Sequence, residues 1–224
     1  MKAAVITFPG SNCDMDMYHA LESFDVDVDL LDDQASDLSA YDAIFIPGGF
    51  SYGDYLRSGA VAKFSPAMDA VKVAADNGQL VVGICNGFQI LTEAGLLPGQ
   101  LLVNEQPGFI CDEVNLVVEN ADSNFTNTMS KGDVLKVPIA HGEGNYVTDE
   151  ATLKELEDNH QVIFRYQENV NGSMNKIAGI TNKAGNVYGM MPHPERAVDA
   201  LTGNDSGRAF FESLLHAVDQ KARA

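Results

Sequence analysis

Three short apolar runs, each followed by a loop that contains glycine, constrain the fold of this chain more than any other feature. The runs span residues 3–8, 43–46 and 80–84. Nearly unbroken apolar strands are typical of parallel sheets that are covered on both faces. Patterns with the apolar spacing of helices fall at residues 15–22, 60–75 and 86–94. This alternation predicts an α/β fold with a doubly wound, mostly parallel sheet flanked by helices.

The second half of the chain is richer in strands. Apolar runs predict strands over residues 109–118, 134–140, 162–166, 177–181 and 187–191. We expect these to add antiparallel strands to the architecture. A polar, turn-rich loop is predicted over 120–133 and a helix from about 206 to 221. Because 224 residues fit one large domain and no linker or internal repeat interrupts them, we predict a single domain over residues 1–224.

The charge balance of the chain limits its partners. The sequence has 32 acidic and 14 basic residues and a formal net charge of −18. Nucleic acids and anionic membranes would be repelled on average, because binding them needs a surface rich in Lys and Arg. We therefore expect neither as a partner. The acidic surface either aids solubility or complements a basic patch on a protein partner.

The apolar runs and the cysteines indicate a cytoplasmic location. The first run, residues 3–8, is too short for the core of a signal peptide, and no later run approaches the length of a membrane span. The three cysteines are Cys13, Cys85 and Cys111, and no two of them have the C-x-x-C spacing of a zinc or redox pair. We expect a reducing compartment and no bound metal.

The stretch GICNGFQ (83–89) places a cysteine between a predicted strand and a predicted helix. G-x-C-x-G is the cysteine version of the nucleophile elbow, a tight turn that needs glycine on either side of the nucleophile. The N-terminus of the following helix favours the thiolate form of such a cysteine. Cys85 is therefore a candidate nucleophile. The alternative is a buried structural cysteine, because free cysteines are among the most buried residues.

A nucleophile needs a base, and His193 is the best candidate among the histidines. It lies in MPHPE (191–195) at the end of an apolar strand, fixed between two prolines. If this segment is extended, Glu195 points the same way and can orient His193. A surface proline turn is the alternative. His141 opens HGEGN after a strand and is a second candidate, whereas surface or structural roles are expected for His19, His160 and His216.

The loop PGGFSYGD (47–54) offers backbone groups rather than side chains. Adjacent glycines can turn peptide N–H groups towards a developing negative charge. The loop follows a predicted parallel strand, so it should lie at the same sheet edge as Cys85. The sequence contains no G-x-x-x-x-G-K-[ST] motif, so no P-loop for ATP is predicted.

Taken together, these motifs resemble the class I glutamine amidotransferases, which have a flavodoxin-like α/β fold and a Cys-His-Glu triad. The resemblance is closest to the glutaminase subunits of phosphoribosylformylglycinamidine synthases. It rests on FPGSNCD (8–14), IPGGFSYGDYLRSGA (46–60), GICNGFQIL (83–91), HGEGNY (141–146) and PHPER (192–196). Only the 120–133 loop and the extreme C-terminus carry no recognisable motif.

The resemblance implies a role for each matching residue. Cys85 would be the nucleophile, His193 the general base and acid, and Glu195 the residue that orients His193. The oxyanion hole would consist of the backbone N–H groups of Gly49, or its neighbour Gly48, and of Asn86. Gln89 would contact the amino-acid end of the substrate, and the backbone of His141 and Gly142 would line the same pocket. No metal is implied.

The resemblance also implies a reaction and partners. L-glutamine would be hydrolysed to glutamate and ammonia through a cysteine thioester. Ammonia would pass directly to a large synthetase subunit, which uses ATP and Mg to convert phosphoribosylformylglycinamide (FGAR) to phosphoribosylformylglycinamidine (FGAM) in de novo purine synthesis. A small accessory subunit would complete the complex. This chain itself would bind no cofactor, and alone it would be poorly active.

Three alternatives are compared with this function. A glutaminase could instead serve imidazole glycerol phosphate, pyridoxal phosphate, GMP or CTP synthesis, but Asn86 and the motifs PGGFSYGD and HGEGNY favour the purine enzyme. PfpI-like proteins use an elbow cysteine for redox sensing, deglycation or protease-like chemistry and commonly place His directly after it, where this chain has Asn86. A catalytically dead binding module would need a broken triad, and all three residues are present.

Overall fold

A nine-stranded mixed sheet forms the centre of the structure, a computed structural model that describes residues 1–223. The predicted domain, 1–224, extends one residue beyond the described part. The strands are β1 (Lys2–Thr7), β2 (Asp27–Asp32), β3 (Ala43–Ile46), β4 (Leu80–Ile84), β5 (Gln100–Leu102), β6 (Ile110–Val118), β7 (Val134–His141), β8 (Asn145–Val147), β9 (Val162–Tyr166), β10 (Ile177–Thr181) and β11 (Val187–Met190). The α-helices are α1 (Asp14–Glu22), α2 (Pro66–Asp76), α3 (Asn86–Glu93), α4 (Glu150–Asp158) and α5 (Arg208–Arg223).

The order of strands in the large sheet is β2-β1-β3-β4-β11-β10-β9-β6-β7. The five strands from β2 to β11 are parallel, and the four from β10 to β7 are added by antiparallel pairing. β5 and β8 form a separate antiparallel pair. The predicted fold class is confirmed. Strands from the first half of the chain, together with β11, form the parallel part of the sheet, and antiparallel strands from the second half extend it.

Helices cover both faces of the sheet, as the neighbours of β11 demonstrate. Tyr188 and Gly189 are successive strand residues, so their side-chain positions point to opposite faces. The ring of Tyr188 packs against Phe210 of α5, with ring centroids 5.5 Å apart. A Cβ at Gly189 would lie 2.2 Å from the ring of Phe88 in α3. α5 and α3 therefore lie on opposite faces, and the glycine lets α3 pack closely.

The apolar runs that predicted the sheet are its buried centre. Every residue of β3, β4 and β11 is buried, as expected for strands covered on both faces. β2, at the edge of the sheet, instead alternates with aspartates and is largely accessible to solvent. Among the described residues, the structure contains no helix that is both long and apolar enough to cross a membrane.

One sequence prediction about secondary structure was wrong, and two features were missed. The helix predicted over 60–75 is divided into a 3-10 turn (Ala62–Phe64) and α2. The division occurs because Ser65 caps the N-terminus of α2 by accepting a hydrogen bond from Met68 N, and Pro66 occupies the first helical position. α4 was missed, although Asp149 caps it in the same way. The short pair β5 and β8 was missed because three-residue strands carry almost no periodic signal.

Candidate active site

The candidate active-site residues come from the carboxyl ends of three adjacent parallel strands. Gly83 of β4 pairs with Ile46 of β3, and Ile84 pairs with Met190 of β11. The loops that follow these strands therefore start side by side. They carry the Gly-Gly pair, Cys85 and His193, which lie at the edge where open α/β sheets bind ligands.

Cys85 sits in a strained turn between β4 and α3. Its φ of 52° and ψ of −107° lie outside the regions that non-glycine residues ordinarily adopt. The turn requires the glycines on both sides. A Cβ at Gly87 would lie 1.9 Å from the carbonyl oxygen of Ile46, and one at Gly83 would lie 2.6 Å from the carbonyl oxygen of Gly87. This is the geometry of a nucleophile elbow, which presents the residue at its apex.

His193 is held rigidly after β11. Its backbone N–H donates to the carbonyl of Pro138 in β7 at 2.8 Å. Its ring nitrogen Nδ1 lies 2.6 Å from Oε1 of Glu195. The predicted contact is present, but the reason given for it was wrong: Pro194–Arg196 forms a 3-10 turn rather than an extended segment. That turn brings Glu195 back to the ring of His193.

Burial and nearby charge together determine the pKa of His193. The side chain of His193 is 1% exposed and that of Glu195 is fully buried. Burial alone lowers the pKa of His193, but the Glu195 carboxylate and Cys85 outweigh it, so the pKa is raised above its ordinary value. Nε2 of His193 has no hydrogen-bond partner within the described residues. That nitrogen is free to exchange a proton with another group.

Gly48 shows how closely Cys85 and His193 approach. A Cβ at this position would lie 2.8 Å from Cε1 of His193 and 3.3 Å from Cβ of Cys85. The same point is 3.1 Å from Sγ of Cys13. The missing side chain at Gly48 therefore leaves room for the imidazole beside the cysteine, a role that the Gly-Gly motif did not reveal.

Of the residues expected to form an oxyanion hole, Asn86 follows Cys85 directly and Gly49 lines the same cavity as Cys85. Asn86 is the first residue of α3, so its N–H has no acceptor within the helix. Gly49 has a φ of 146°, and a Cβ there would lie 2.7 Å from Cα of Ser11. Its neighbour Phe50 donates its N–H to Gly10 at 2.9 Å, which fixes the loop. The assignment of Gly48, Gly49 and Asn86 to the oxyanion hole stays a prediction.

The side chain of Asn86 has a structural role that the sequence did not indicate. Its Oδ1 accepts a hydrogen bond from the backbone N–H of Ser51 at 3.0 Å. Its Nδ2 donates to Oε1 of Gln89 at 2.9 Å and to Oδ1 of Asp54 at 3.3 Å. The Gln89 amide in turn donates to the carbonyl of Glu143 at 2.7 Å. Two buried amides, those of Asn86 and Gln89, thus connect the nucleophile helix to two neighbouring loops.

His141, the last residue of β7, has a structural role at the start of the HGEG motif (141–144). Asn104 donates to the carbonyls of Gly108 and His141, which leaves its Oδ1 to accept from Nδ1 of His141 at 3.1 Å and from the N–H of Gly144 at 3.0 Å. Nε2 of His141 faces the amide nitrogen of Asn171 at 3.5 Å. Burial, reinforced by the nearby His193, lowers the pKa of His141 to about 4, so the ring is neutral at pH 7. Neither asparagine belongs to a motif that sequence reasoning singled out.

A cavity of about 410 Å³ opens above Cys85. Of the predicted site residues it is lined by Cys85, His193, Gly49, Gln89, His141 and Gly142. Glu195 lies behind His193, as an orienting residue should. The wall also contains residues that were not predicted to be in the site: Asn12, Cys13, Phe50, Asp54, Ser58, Phe109, Ala140, Glu143 and Arg196. Within residues 1–223, no cluster of three or more His, Cys, Asp or Glu is arranged to hold a metal ion.

Comparisons with known proteins show the family to which this chain is similar. The CobB/CobQ-like glutamine amidotransferase domain family matches residues 1–214. The chain is 59% identical over 217 residues to the phosphoribosylformylglycinamidine synthase subunit PurQ of Lacticaseibacillus casei, which covers 96% of this chain and 95% of that protein. The PurQ subunit of Lacticaseibacillus paracasei is equally similar, at 59% over 217 residues, covering 96% of this chain and 95% of the relative.

Solved structures extend the comparison to three dimensions. A chain in the structure of PurLQS from Thermotoga maritima is 48% identical to this chain, and the two superpose with a TM-score of 0.89. The match covers 96% of this chain and 97% of that chain. A glutamine amidotransferase from Thermotoga maritima, at 15% identity and a TM-score of 0.60 over 99% of this chain and 85% of that one, shares the fold alone. The chain belongs to the glutamine amidotransferase family, among the PurQ subunits of phosphoribosylformylglycinamidine synthase.

Proposed function

We propose that this chain is the glutaminase subunit of an FGAM synthase and hydrolyses L-glutamine to glutamate and ammonia. The observation that carries the proposal is the elbow cysteine, Cys85, beside the buried His193–Glu195 pair. The PurQ name of relatives at 59% identity supports the purine pathway over the other amidotransferase pathways.

In the proposed reaction, the Cys85 thiolate attacks the carboxamide carbon of glutamine. The carbonyl oxygen becomes an oxyanion, which the backbone N–H groups of Asn86 and of Gly49 or Gly48 would stabilise. One such preorganised donor is typically worth about 2.7–4 kcal/mol in the transition state. His193 then gives its proton to the departing nitrogen, the C–N bond breaks, and ammonia leaves a glutamyl thioester on Cys85.

The second half of the reaction restores the cysteine. His193, now neutral, takes a proton from water, and the resulting hydroxide attacks the thioester carbon. The C–S bond breaks and glutamate is released. Glu195 keeps Nδ1 of His193 as the hydrogen-bond donor, so Nε2 faces the reacting atoms in both steps.

The ammonia would be passed to a large synthetase subunit that uses ATP and Mg to convert FGAR to FGAM. PurLQS, in which the similar chain of known structure occurs, supports such an assembly. We propose that a small accessory subunit completes the complex, that this chain binds no cofactor of its own, and that the complex is cytoplasmic. A glutaminase that delivers ammonia directly protects it from protonation and loss to water.

The test of this function is selective labelling of a cysteine. A glutamine analogue with an electrophilic carbon in place of the carboxamide should alkylate Cys85 in the reconstituted complex much faster than Cys13 or Cys111, and L-glutamine should protect Cys85. Cys111 is exposed and Cys13 is buried, so accessibility alone favours Cys111. Labelling that follows accessibility, unaffected by glutamine, would refute the assignment. Peptide mapping by mass spectrometry provides the readout.

A further inference from the structure

The cavity above Cys85 has an uneven distribution of charge. Among the described residues that line it, the residues of the Asp, Glu, Lys and Arg types are Asp54, Glu143 and Arg196. Glutamine brings its carboxamide to Cys85 under the proposed function, so its α-ammonium and α-carboxylate groups must be accommodated elsewhere in this cavity. An ammonium group that leaves water needs a carboxylate or several acceptors. The two acidic side chains are therefore the candidates to bind it.

Asp54 is held in place by a strained loop. Its φ is 53°, and those of its neighbours Tyr52 and Leu56 are 52° and 73°, all in the left-handed region. Asp and Asn tolerate such conformations, but Tyr and Leu do so poorly, and such residues persist there where surrounding structure enforces them, often at functional sites. The loop is held at one end by the hydrogen bond from Ser51 N to Asn86 and turns the Asp54 carboxylate into the cavity wall.

The Asp54 carboxylate is also positioned relative to Cys85. Its Oδ1 accepts from Nδ2 of Asn86, the residue that follows the nucleophile. The same Nδ2 donates to Gln89, so Asp54 and Gln89 belong to one side of the cavity. None of the ion pairs found among the described residues includes Asp54. Its negative charge is therefore available to a ligand.

The surroundings of Asp54 favour a cationic ligand. Burial raises the pKa of the Asp54 carboxyl, and the nearby Glu143 carboxylate raises it further. Hydrogen bonding from Ser58 acts in the opposite direction and lowers this pKa, but the net shift is upward. A bound ammonium would stabilise the ionised carboxylate and offset its burial. Arg196 does not provide a positive charge for Asp54, because its guanidinium pairs with Asp16 at 2.9 Å and donates to Sγ of Cys13 at 3.0 Å.

We propose that Asp54 binds the α-ammonium group of L-glutamine and selects for substrates that carry it. The inference rests on the proposed glutaminase function and adds a specificity-determining residue to it. Glu143 contributes its backbone carbonyl, which accepts a hydrogen bond from the Gln89 amide at 2.7 Å. In this account, the Asp54 carboxylate contacts the substrate directly, whereas Asn86 fixes the carboxylate and Gln89 on the same wall.

The test compares L-glutamine with glutaramate, which has the same carboxamide and carboxylate but no α-amino group. The parent protein and Asp54→Asn are each assayed in the reconstituted complex. The parent should prefer glutamine in kcat/KM by roughly tenfold to hundredfold, the worth of a hydrogen bond to a charged group. Asp54→Asn should lose most of this preference, by losing activity on glutamine and not on glutaramate. Asn adopts left-handed backbone readily and still accepts from Asn86, so the loop should be preserved.

Two further variants control for structural effects. Glu143→Gln removes the other acidic side chain of the cavity and should keep the preference for glutamine. Asp54→Glu restores the charge and should prefer glutamine more than Asp54→Asn does. Ammonia-dependent FGAM synthesis, which does not use this cavity, should be unchanged in all three.

The outcomes separate this inference from the function on which it rests. If Asp54→Asn keeps the full preference of the parent, or if Glu143→Gln loses it, the assignment of Asp54 is wrong. Equal preference in Asp54→Glu and Asp54→Asn would also contradict it. If instead the parent complex hydrolyses neither carboxamide, the glutaminase function itself fails.

Discussion

Replacing Cys85 with alanine is expected to abolish glutamine-dependent FGAM synthesis while ammonia-dependent synthesis by the same complex continues. Without Sγ no thioester can form, and losses on the order of 10⁴-fold or more in kcat are typical when a nucleophile is removed. Ammonia bypasses the step that Cys85 performs. The side chain is small and lies at the cavity wall, so the fold and the docking surface should be preserved. Both activities are measured in the reconstituted complex, with glutamine or an ammonium salt as nitrogen donor.

Cys111→Ala is the matched control, because it removes an exposed thiol in β6. Both activities should match those of the parent. If Cys85→Ala loses ammonia-dependent synthesis as well, with the fold and the complex intact, then the division of work between this chain and a synthetase would be incorrect. If Cys85→Ala retains glutamine-dependent synthesis, Cys85 is not the nucleophile.

Glu195→Gln is expected to reduce glutaminase kcat by about 10²–10⁴-fold with little change in KM. Loss of the carboxylate that orients a catalytic histidine has effects of this order in serine proteases. Glu195 does not line the cavity, so substrate binding should be nearly unaffected. Although burial lowers the pKa of His193, the Glu195 carboxylate is the principal group that raises it. Removing that charge lowers the pKa of His193, so the loss of activity at high pH, where His193 lacks a proton to give, should begin at lower pH.

The measurement is the pH profile of kcat and kcat/KM in the complex. Glu195→Asp, which keeps the charge on a shorter side chain, should retain more activity than Glu195→Gln and a pH profile nearer to the parent. A Glu195→Gln complex with parent kcat at every pH would show that Glu195 does not orient His193. A change confined to KM would place Glu195 in substrate binding instead.

The sequence predicted the parts of this structure that repeat a local signal. Apolar runs marked the buried strands, and glycines on both sides of Cys85 marked the elbow, because each follows from the geometry of a few consecutive residues. α2 could have been bounded correctly, since Ser65 and Pro66 are an ordinary helix start. These signals depend only on residues that are close in the sequence, so they can be recognised without knowledge of the fold.

The remaining features depend on residues that meet only after folding. Asn104 and Asn171 hold His141, yet both lie in loops far from it in the chain. The link from Asp54 through Asn86 to Gln89 joins a loop to α3, and the sheet determines their relative position. Glu195 illustrates an intermediate case. Its contact with His193 was predicted, but from an extended segment, whereas the proline-containing 3-10 turn produces the same contact.

A covalent intermediate on Cys85 is the direct consequence of hydrolysis by Cys85 with His193 and Glu195, and it can be trapped. The complex is mixed with isotopically labelled L-glutamine, quenched in acid within a single turnover, and digested for mass spectrometry. We predict a glutamyl group on the peptide that contains Cys85, and none in Cys85→Ala or on Cys13 and Cys111. If the complex turns over glutamine and no acylated Cys85 is found at any quench time, Cys85 is not the nucleophile.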